Sequence, residues 1–290
     1  MFKPIIASAI AVMISILIAI AGSDQGMTYD GMPLFLMCAT VPFILHWLGF
    51  IPAYFFQTEH YFDLIGSVSY VATIALAFLL IPALDLRAWL VGVAITLWAI
   101  RLGSFLFMRV KQTGQDRRFS HIKPHFFRFF FTWTLGATWV FITLSAGLAA
   151  ISAQTRAPLD IYFYVGALLW LLGFIIEVIA DQQKATFRRN PANTNRFIST
   201  GLWSISRHPN YFGEILLWLG IAIISVPVLA GWQWVTLISP LFVALLLIKI
   251  SGIPLLENIA EERWGKDPDY RDYRKRTPVL IPSFSSKKVS

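Results

Sequence analysis

RHPNYFGEILLWLGIAIISVPVLA, residues 207–230, decides the fold. Its first eight residues set an Arg, a His, an Asn and a Glu ahead of sixteen residues that carry no charge at all. A helix crosses a hydrocarbon core with about 20 mostly apolar residues. Pro209 suits the first turn of such a helix, because the N–H it lacks would have no partner there, and its ring biases His208 away from helical geometry. The stretch therefore reads as a membrane span whose N-terminal mouth is lined with polar groups.

The remainder of the chain agrees. Of its 290 residues, 57% are hydrophobic, 15% aromatic and only 14% charged, with a mean hydropathy of +0.64; soluble domains carry about 25% charged residues. The apolar runs are long and continuous, without the period-two alternation of a barrel, so the spans are helices. The expected fold is an all-α, polytopic integral membrane bundle with spans near 4–22, 33–56, 64–84, 88–110, 129–151, 159–180, 210–230 and 233–256. The second contains Pro42 and Pro52, which would kink it or divide it into a span and a re-entrant piece, so seven spans is the alternative. The first begins MFKP, like a signal peptide, but no small-residue cleavage pattern follows its apolar run, and it counts as a span. One membrane domain is expected, with 1–110 forming the lipid-substrate side, 129–256 carrying a cytoplasmic cofactor site and 257–290 a cytoplasmic basic tail. That tail ends in SFSSKKVS, which reads as disordered.

Orientation follows from Lys and Arg. With the N-terminus inside, the inner segments hold 19 of them and the outer loops only Arg87 and Arg156, and short loops rich in these residues stay cytoplasmic. Both termini are expected in the cytoplasm. The net charge of +8 is mostly this concentration and reads as contact with anionic headgroups; nucleic acid is not an expected partner. The single cysteine, Cys38, lies in an apolar run, which leaves no disulfide framework or thiolate metal site. His121 and His125 have metal-like spacing, but Pro124 interrupts them and no carboxylate is close in sequence, so no metal is expected.

Ionisable residues inside spans cost on the order of 2.5–3.5 kcal/mol each on insertion scales, so each needs a partner or a wet cavity. Arg101, Glu177, Glu214 and Lys249 are of this kind. Glu177 and Asp181, in EVIAD, share one helix face at the expected C-terminus of the sixth span. The dipole there disfavours carboxylates by roughly 0.3–1 kcal/mol. They call for a donor, from a neighbouring Arg or from the hydroxyls and amides of a polar ligand. At the mouth of the seventh span, unpaired N–H groups together with Arg207 and His208 make an anion site matched to a phosphate. Asn210 and Glu214 follow one turn apart, with Tyr211 between them. WAIRLGSFLFMR places Arg101 and Arg109 roughly on one face, and KQTGQDRRFSHIKPHFFRFF reads as an interfacial amphipathic segment. In the tail, Tyr270, Tyr273 and Arg274 would form an aromatic and cationic lid over a flat heterocycle, or lie on the membrane. These features suit a nucleotide with its phosphates outside and its reactive end in the membrane. The chain has no GxGxxG and no GxxxxGK[ST], so neither a Rossmann domain nor a P-loop would hold it.

EVIADQQK, GLWSISRHPNYFGEILLWLGI and DPDYRDYRKRTPVLIP make the chain from about Glu177 to Pro282 resemble the steroid 5-alpha-reductase C-terminal family, in particular its bacterial DUF1295-like branch of membrane proteins. QTEHYFD and WAIRLGSFLFMR are similar to the wider group. The resemblance implies a membrane oxidoreductase, in the bacterial inner membrane, that binds NADPH at its cytoplasmic side and reduces a carbon-carbon double bond conjugated to a ketone in a lipid. It implies cofactor contacts from Arg101, Asp181, Arg196, Asn210 and Glu214, and from Tyr270 and Tyr273. Arg109, Glu177, Arg207, His208 and Tyr211 complete the expected cofactor set. Two positions depart from the family pattern. Trp98 stands where the steroid reductases have a catalytic Tyr, and an indole N–H donates a hydrogen bond without delivering a proton; Glu177 stands where they have Asn. Glu59 of QTEHYFD matches the family's early Glu, whose acid, kept neutral by burial, would polarise a carbonyl. Tyr61 or Asp63 would supply the proton. The other reading of Glu59 and Asp63 is as caps of the third span. Expected partners are a lipid-soluble small molecule and membrane lipids. RHPxY and the terminal tyrosines also resemble the isoprenylcysteine carboxyl methyltransferases, which use S-adenosylmethionine, and a non-enzymatic lipid-binding protein is the third reading.

Overall fold

Eight helical segments are long and apolar enough to cross a membrane in the computed structural model, which describes residues 2–113, 119 and 121–283. The protein is an integral membrane protein. Its contacts group into two compact units, Met1–Tyr164 with Ile221–Ser239, and Val165–Gly220 with Pro240–Ser290.

In the first unit, α1 (Phe2–Gly22) leads through a two-residue-strand hairpin, Thr28–Tyr29 against Met32–Pro33, into α2 (Leu34–Phe55), α3 (Phe62–Leu80), α4 (Leu86–Thr113) and α5 (Phe126–Ser152). α5 packs against all four of the others and is the centre of the unit, with 83% of its apolar window buried against 28–39% for α1 to α4. Its first turns carry Phe129 and Trp133, which cluster with Phe50, Ala53 and Phe119. Farther along, polar groups close onto backbone: Ser145 donates to the Thr236 carbonyl at 3.1 Å, and Ser239 donates to that of Thr143 at 2.5 Å. In hydrocarbon, where no water is at hand, such acceptors satisfy hydroxyls that would otherwise be left unpaired.

The alternative of seven spans is not realised, because α2 runs unbroken through Pro42 and Pro52. The His46 Nδ1 donates to the Pro42 carbonyl at 2.8 Å, so this side chain ties a proline-containing turn together, as polar side chains do in membrane helices. Arg87, counted above as an outer-loop charge, is 1% exposed. Its guanidinium donates to the carbonyls of Ile224 (2.7 Å) and Pro158 (2.5 Å) and to Asp160 (2.8 Å), and Arg156 pairs with Asp85 at 3.3 Å. These cations serve as clamps.

The second unit takes up α6 (Ile161–Arg189) from Val165 and α7 (Pro209–Ser225) to Gly220. α6 continues nine residues beyond its expected end near 180. The segment DQQKATFRR is polar but contains good helix formers, and Arg188 and Arg189 in the last turn favour the dipole's negative end. Glu177 and Asp181 therefore lie inside the helix, and the expected dipole penalty at a C-terminus does not apply to them. The eighth apolar segment, Gly231–Trp264, is likewise not one helix over 233–256. It passes from a 3-10 stretch (Gly231–Leu237) through α8 (Ile238–Leu245) and a π-helical turn (Leu246–Ile250), then restarts after Gly252 as α9 (Ile253–Trp264).

The tail is built into this unit. Asp267 caps α10 (Pro268–Arg276) by accepting from the Asp269 N–H at 2.9 Å. Beyond α10 the chain lies along the loop before α7: the Arg207 N–H donates to the Pro278 carbonyl (2.9 Å), Ser206 to Leu280 (2.7 Å), and the Ser283 N–H to Ile205 (3.0 Å). The expected disorder of SFSSKKVS concerns residues that, after Ser283, lie outside the described ones, as do 114–118 and 120 of the expected interfacial loop.

Candidate functional site

Small residues bring α6 and α7 together in the second unit. A Cβ on Gly213 would lie 2.5 Å from the Gly173 carbonyl oxygen and 2.8 Å from the Glu177 nitrogen, so only glycine permits this approach. The crossing sets EVIAD against PNYFGE. Asn210 donates to Asp181 at 3.2 Å, and Glu177, Asp181 and Glu214 are buried, at 2%, 6% and 8% exposed. Buried carboxylates and a carboxamide on facing helices offer acceptors and one amide for the hydroxyls and amides of a polar ligand.

The expected anion site takes an unexpected form. Arg207 is paired with Glu257, and the His208 Nε2 donates to the other oxygen of the same carboxylate at 2.8 Å. Arg274 reaches Glu257 at 3.9 Å and pairs with Glu261. His208 stacks on Tyr211, ring centroids 5.6 Å apart. Burial lowers the His208 imidazole below its ordinary 6.5; the Glu257 carboxylate opposes this, and Lys184 and Arg207 add to it. His208 is thus neutral near pH 7 and its contact with Glu257 is a hydrogen bond. Its Nδ1, the acceptor nitrogen of this tautomer, meets no donor, and the Arg207 Nε–H meets no acceptor, among the described residues; both are buried.

Tyr270 and Tyr273 do not form an open lid. They are 3% and 4% exposed and belong to an aromatic cluster with Phe197 and Trp264. The Tyr273 hydroxyl donates to the Trp203 carbonyl at 2.7 Å. Burial pushes both phenols up, so they act as donors and packing groups. Arg196 is exposed. Lys184, absent from the expected set, sits over the Trp203 ring at 4.4 Å.

The other expected residues lie in the first unit. Glu59 is 4% exposed and paired with Lys123 at 2.5 Å, so its carboxylate faces an ammonium. Asp63 is in the first turn of α3, with Arg109 at 3.9 Å. Tyr61 is 55% exposed and stacks on Phe107. Trp98 is buried edge-on against Tyr70, centroids 5.2 Å apart, and Arg101 lies over Phe105. Beside α2 and α3 a cavity of about 600 Å³ is walled by Pro52, Phe56, Ile65 and Trp133, with Thr58, His60 and Tyr61 supplying polar groups. Sequence reasoning missed Lys123 and Glu257. A buried Glu and a basic pair each announce that a counter-charge is needed, but the partners stand 64 and 50 residues away along the chain.

A family model described as "Protein of unknown function (DUF1295)" matches residues 49–277. Among curated proteins, the chain is 25% identical over 92 residues to "Probable O-methyltransferase ustE" of Ustilaginoidea virens, covering 32% of each chain. It is 28% identical over 120 residues to "3-oxo-5-alpha-steroid 4-dehydrogenase 1" of Rattus norvegicus, covering 41% of each. Over 220 residues it is 22% identical to "Uncharacterized protein C594.04c" of Schizosaccharomyces pombe, 64% of this chain and 61% of that one. These matches thus span from a third to three fifths of the relatives' lengths. No solved structure matches significantly.

Proposed function

The chain belongs to the DUF1295 family, and on that premise we propose that it is a membrane-embedded, NADPH-dependent reductase of a carbon-carbon double bond conjugated to a carbonyl in a steroid-like or other lipid. The observation that carries this reading is the contact of Asn210 with Asp181 at 3.2 Å, which joins two motifs far apart in sequence beside the buried Glu177 and Glu214. The similarity to a protein named as a steroid dehydrogenase supports the reaction class. Bound NADPH would supply a hydride to the β carbon of the enone.

The residues present fit this cofactor. Arg207 and the His208 Nε2–H would hold phosphate, the Arg207 Nε being a buried donor that meets no acceptor among the described residues. Asn210, Asp181, Glu177 and Glu214 would orient amide and hydroxyl groups. The cavity beside α2 and α3 would take the lipid, its apolar walls excluding water and its Thr58, His60 and Tyr61 meeting the carbonyl end. Tyr61 is the proton donor in this reading. Glu59, salt-bridged as it is, would position Lys123 as the cation that polarises the carbonyl, in place of the neutral acid expected from the sequence. Trp98, buried against Tyr70, contributes packing. Both termini and the phosphate end are assigned to the cytoplasm on the Lys and Arg distribution.

The test is titration of detergent-purified protein with NADPH and, in parallel, S-adenosylmethionine, followed by thermal stability and by energy transfer from tryptophan to nicotinamide. A ligand at 100 times its dissociation constant adds about 2.7 kcal/mol to stability. Saturable binding of NADPH alone is expected. Binding of S-adenosylmethionine alone would overturn the reading in favour of a methyltransferase, whose cationic cofactor the buried carboxylates would also attract; the similarity to a protein named as an O-methyltransferase is what keeps that arm in the experiment.

A further inference from the structure

Glu257 stands where a ligand's phosphate would stand. Arg207 and His208 each contact a different oxygen of this one carboxylate, and Arg274 approaches it from α10. Two oxygens shared between a guanidinium and an imidazole N–H reproduce the way such groups grip a phosphate. The surroundings are those of a built site: the side chains of Arg207, His208 and Glu257 are 11%, 5% and 19% exposed, and the buried Arg207 Nε–H meets no acceptor among the described residues. The carboxylate's two oxygens leave the Arg207 Nε–H unmet, whereas a phosphate has a third oxygen to give.

The element that brings Glu257 has a joint at its base. α9 follows the π-helical turn Leu246–Ile250, and at Gly252 a Cβ would lie 2.5 Å from the Leu247 carbonyl oxygen and 3.0 Å from the Tyr211 ring. Tyr211 is the ring on which His208 stacks, so the joint abuts the group that holds the carboxylate. π-helical turns inside longer helices mark functional sites frequently. Here the turn separates α8 from the helix that carries the anion.

We propose that Glu257 is an internal stand-in for a phosphate: it keeps Arg207 and His208 in binding geometry in the ligand-free protein and must leave them, with α9, when a phosphate-bearing ligand enters. The inference rests on the nucleotide-binding reading above and adds to it a competing group within the chain. The consequence runs against the usual effect of deleting an ion pair. Removing the carboxylate strengthens binding.

Inorganic pyrophosphate is the probe, measured by calorimetry on the full chain in detergent at two salt concentrations, with NADPH alongside. Glu257→Gln should bind pyrophosphate at least about tenfold more tightly than the unaltered protein, while Glu261→Gln, which removes a partner of Arg274 only, should change it little. Unchanged or weaker binding by folded Glu257→Gln would make Glu257 a structural counter-ion and overturn the proposal. A second measurement uses no variant. On addition of pyrophosphate to the unaltered protein, amide exchange over residues 253–264 should quicken as α9 is released, and slower or unchanged exchange there overturns the proposal by itself. If NADPH binds while these changes are absent, the stand-in role alone fails. If neither NADPH nor pyrophosphate binds to either form, the nucleotide reading fails and takes the stand-in role with it.

Discussion

Glu214 and Asn210 are one turn apart on α7. Each is placed to accept or donate to a ligand, and neither lies in the aromatic packing of its unit. Glu214→Gln keeps the shape and removes the charge, so NADPH affinity should fall at least about tenfold, the loss of one charge-assisted hydrogen bond, with the melting temperature nearly unchanged. Equal affinity in the purified variant would remove Glu214 from the site. Lys123 should behave in the opposite way. Its ammonium faces the buried Glu59 carboxylate at 2.5 Å, and Lys123→Met should lower stability by about 1–3 kcal/mol through loss of that charge-assisted hydrogen bond; a variant that melts within a degree of the unaltered protein would show that the ion pair adds nothing to stability. His208 adds a pH dependence. Its folded-state value lies below the ordinary 6.5, so between those two values the unfolded chain binds the extra proton and the folded one does not. Stability from this group is therefore complete above pH 6.5 and is lost as pH falls towards the folded-state value. Melting followed from about pH 7.5 down to pH 5 should show that slope, and His208→Gln should flatten it. Glu257, Lys184 and Arg207 act on the same imidazole, which is why the variant, and not the slope alone, assigns the effect.

At the scale of elements, the site exists because α6 and α7 touch through backbone. Gly213→Ala places a methyl group 2.5 Å from the Gly173 carbonyl oxygen, and backbone cannot rotate away as a side chain can. The helices must part, at about 1–3 kcal/mol, and the Asn210 to Asp181 contact should open with them. The expected outcome is a lower melting temperature together with loss of the NADPH response. Gly66→Ala is the control: nothing lies within 4 Å of its Cβ on α3, so it should leave binding intact and raise stability by up to about 1 kcal/mol through helix propensity. The apolar cores of these elements were legible in the sequence because hydropathy and length are local properties. Their ends were not. α6 runs on to Arg189 because leaving the hydrocarbon removes no hydrogen bond from a helix, and a polar segment such as DQQKATFRR continues it; the eighth segment breaks at Ser251 and Gly252, in a run whose hydropathy changes little. The site was legible as a set of residue types, Asp181 with Asn210 and Arg207 with His208. The group that answers each one was not, because Glu257 and Lys123 are brought in by tertiary folding across long stretches of chain. The tyrosines of the tail illustrate the same limit: an aromatic pair beside an Arg reads equally as a lid or a core, and packing against Phe197 and Trp264 decides for the core.

For the molecule as a whole, the quantity that composition predicts and helix packing does not reveal is which way the chain enters the bilayer. Lys and Arg are concentrated in alternate connections, and short segments carrying them resist translocation. With the first residues inside, the connection after α1 lies outside and the one after α4 lies inside, since α2, α3 and α4 intervene. The single, buried Cys38 makes this directly measurable. On a Cys38→Ala background, Asp30→Cys in the hairpin after α1 and His121→Cys before α5 both fall at exposed positions. A membrane-impermeant maleimide applied to intact cells should label Asp30→Cys at once and His121→Cys only after permeabilisation. The reverse pattern would invert the orientation and move the Arg207 and His208 site away from the compartment that holds NADPH. Identical labelling at both positions would mean that the number of crossings between them is even, so that one of α2, α3 and α4 does not span. The proline-containing α2 would then be the first to examine, because Pro42 and Pro52 each remove a backbone donor from its ladder.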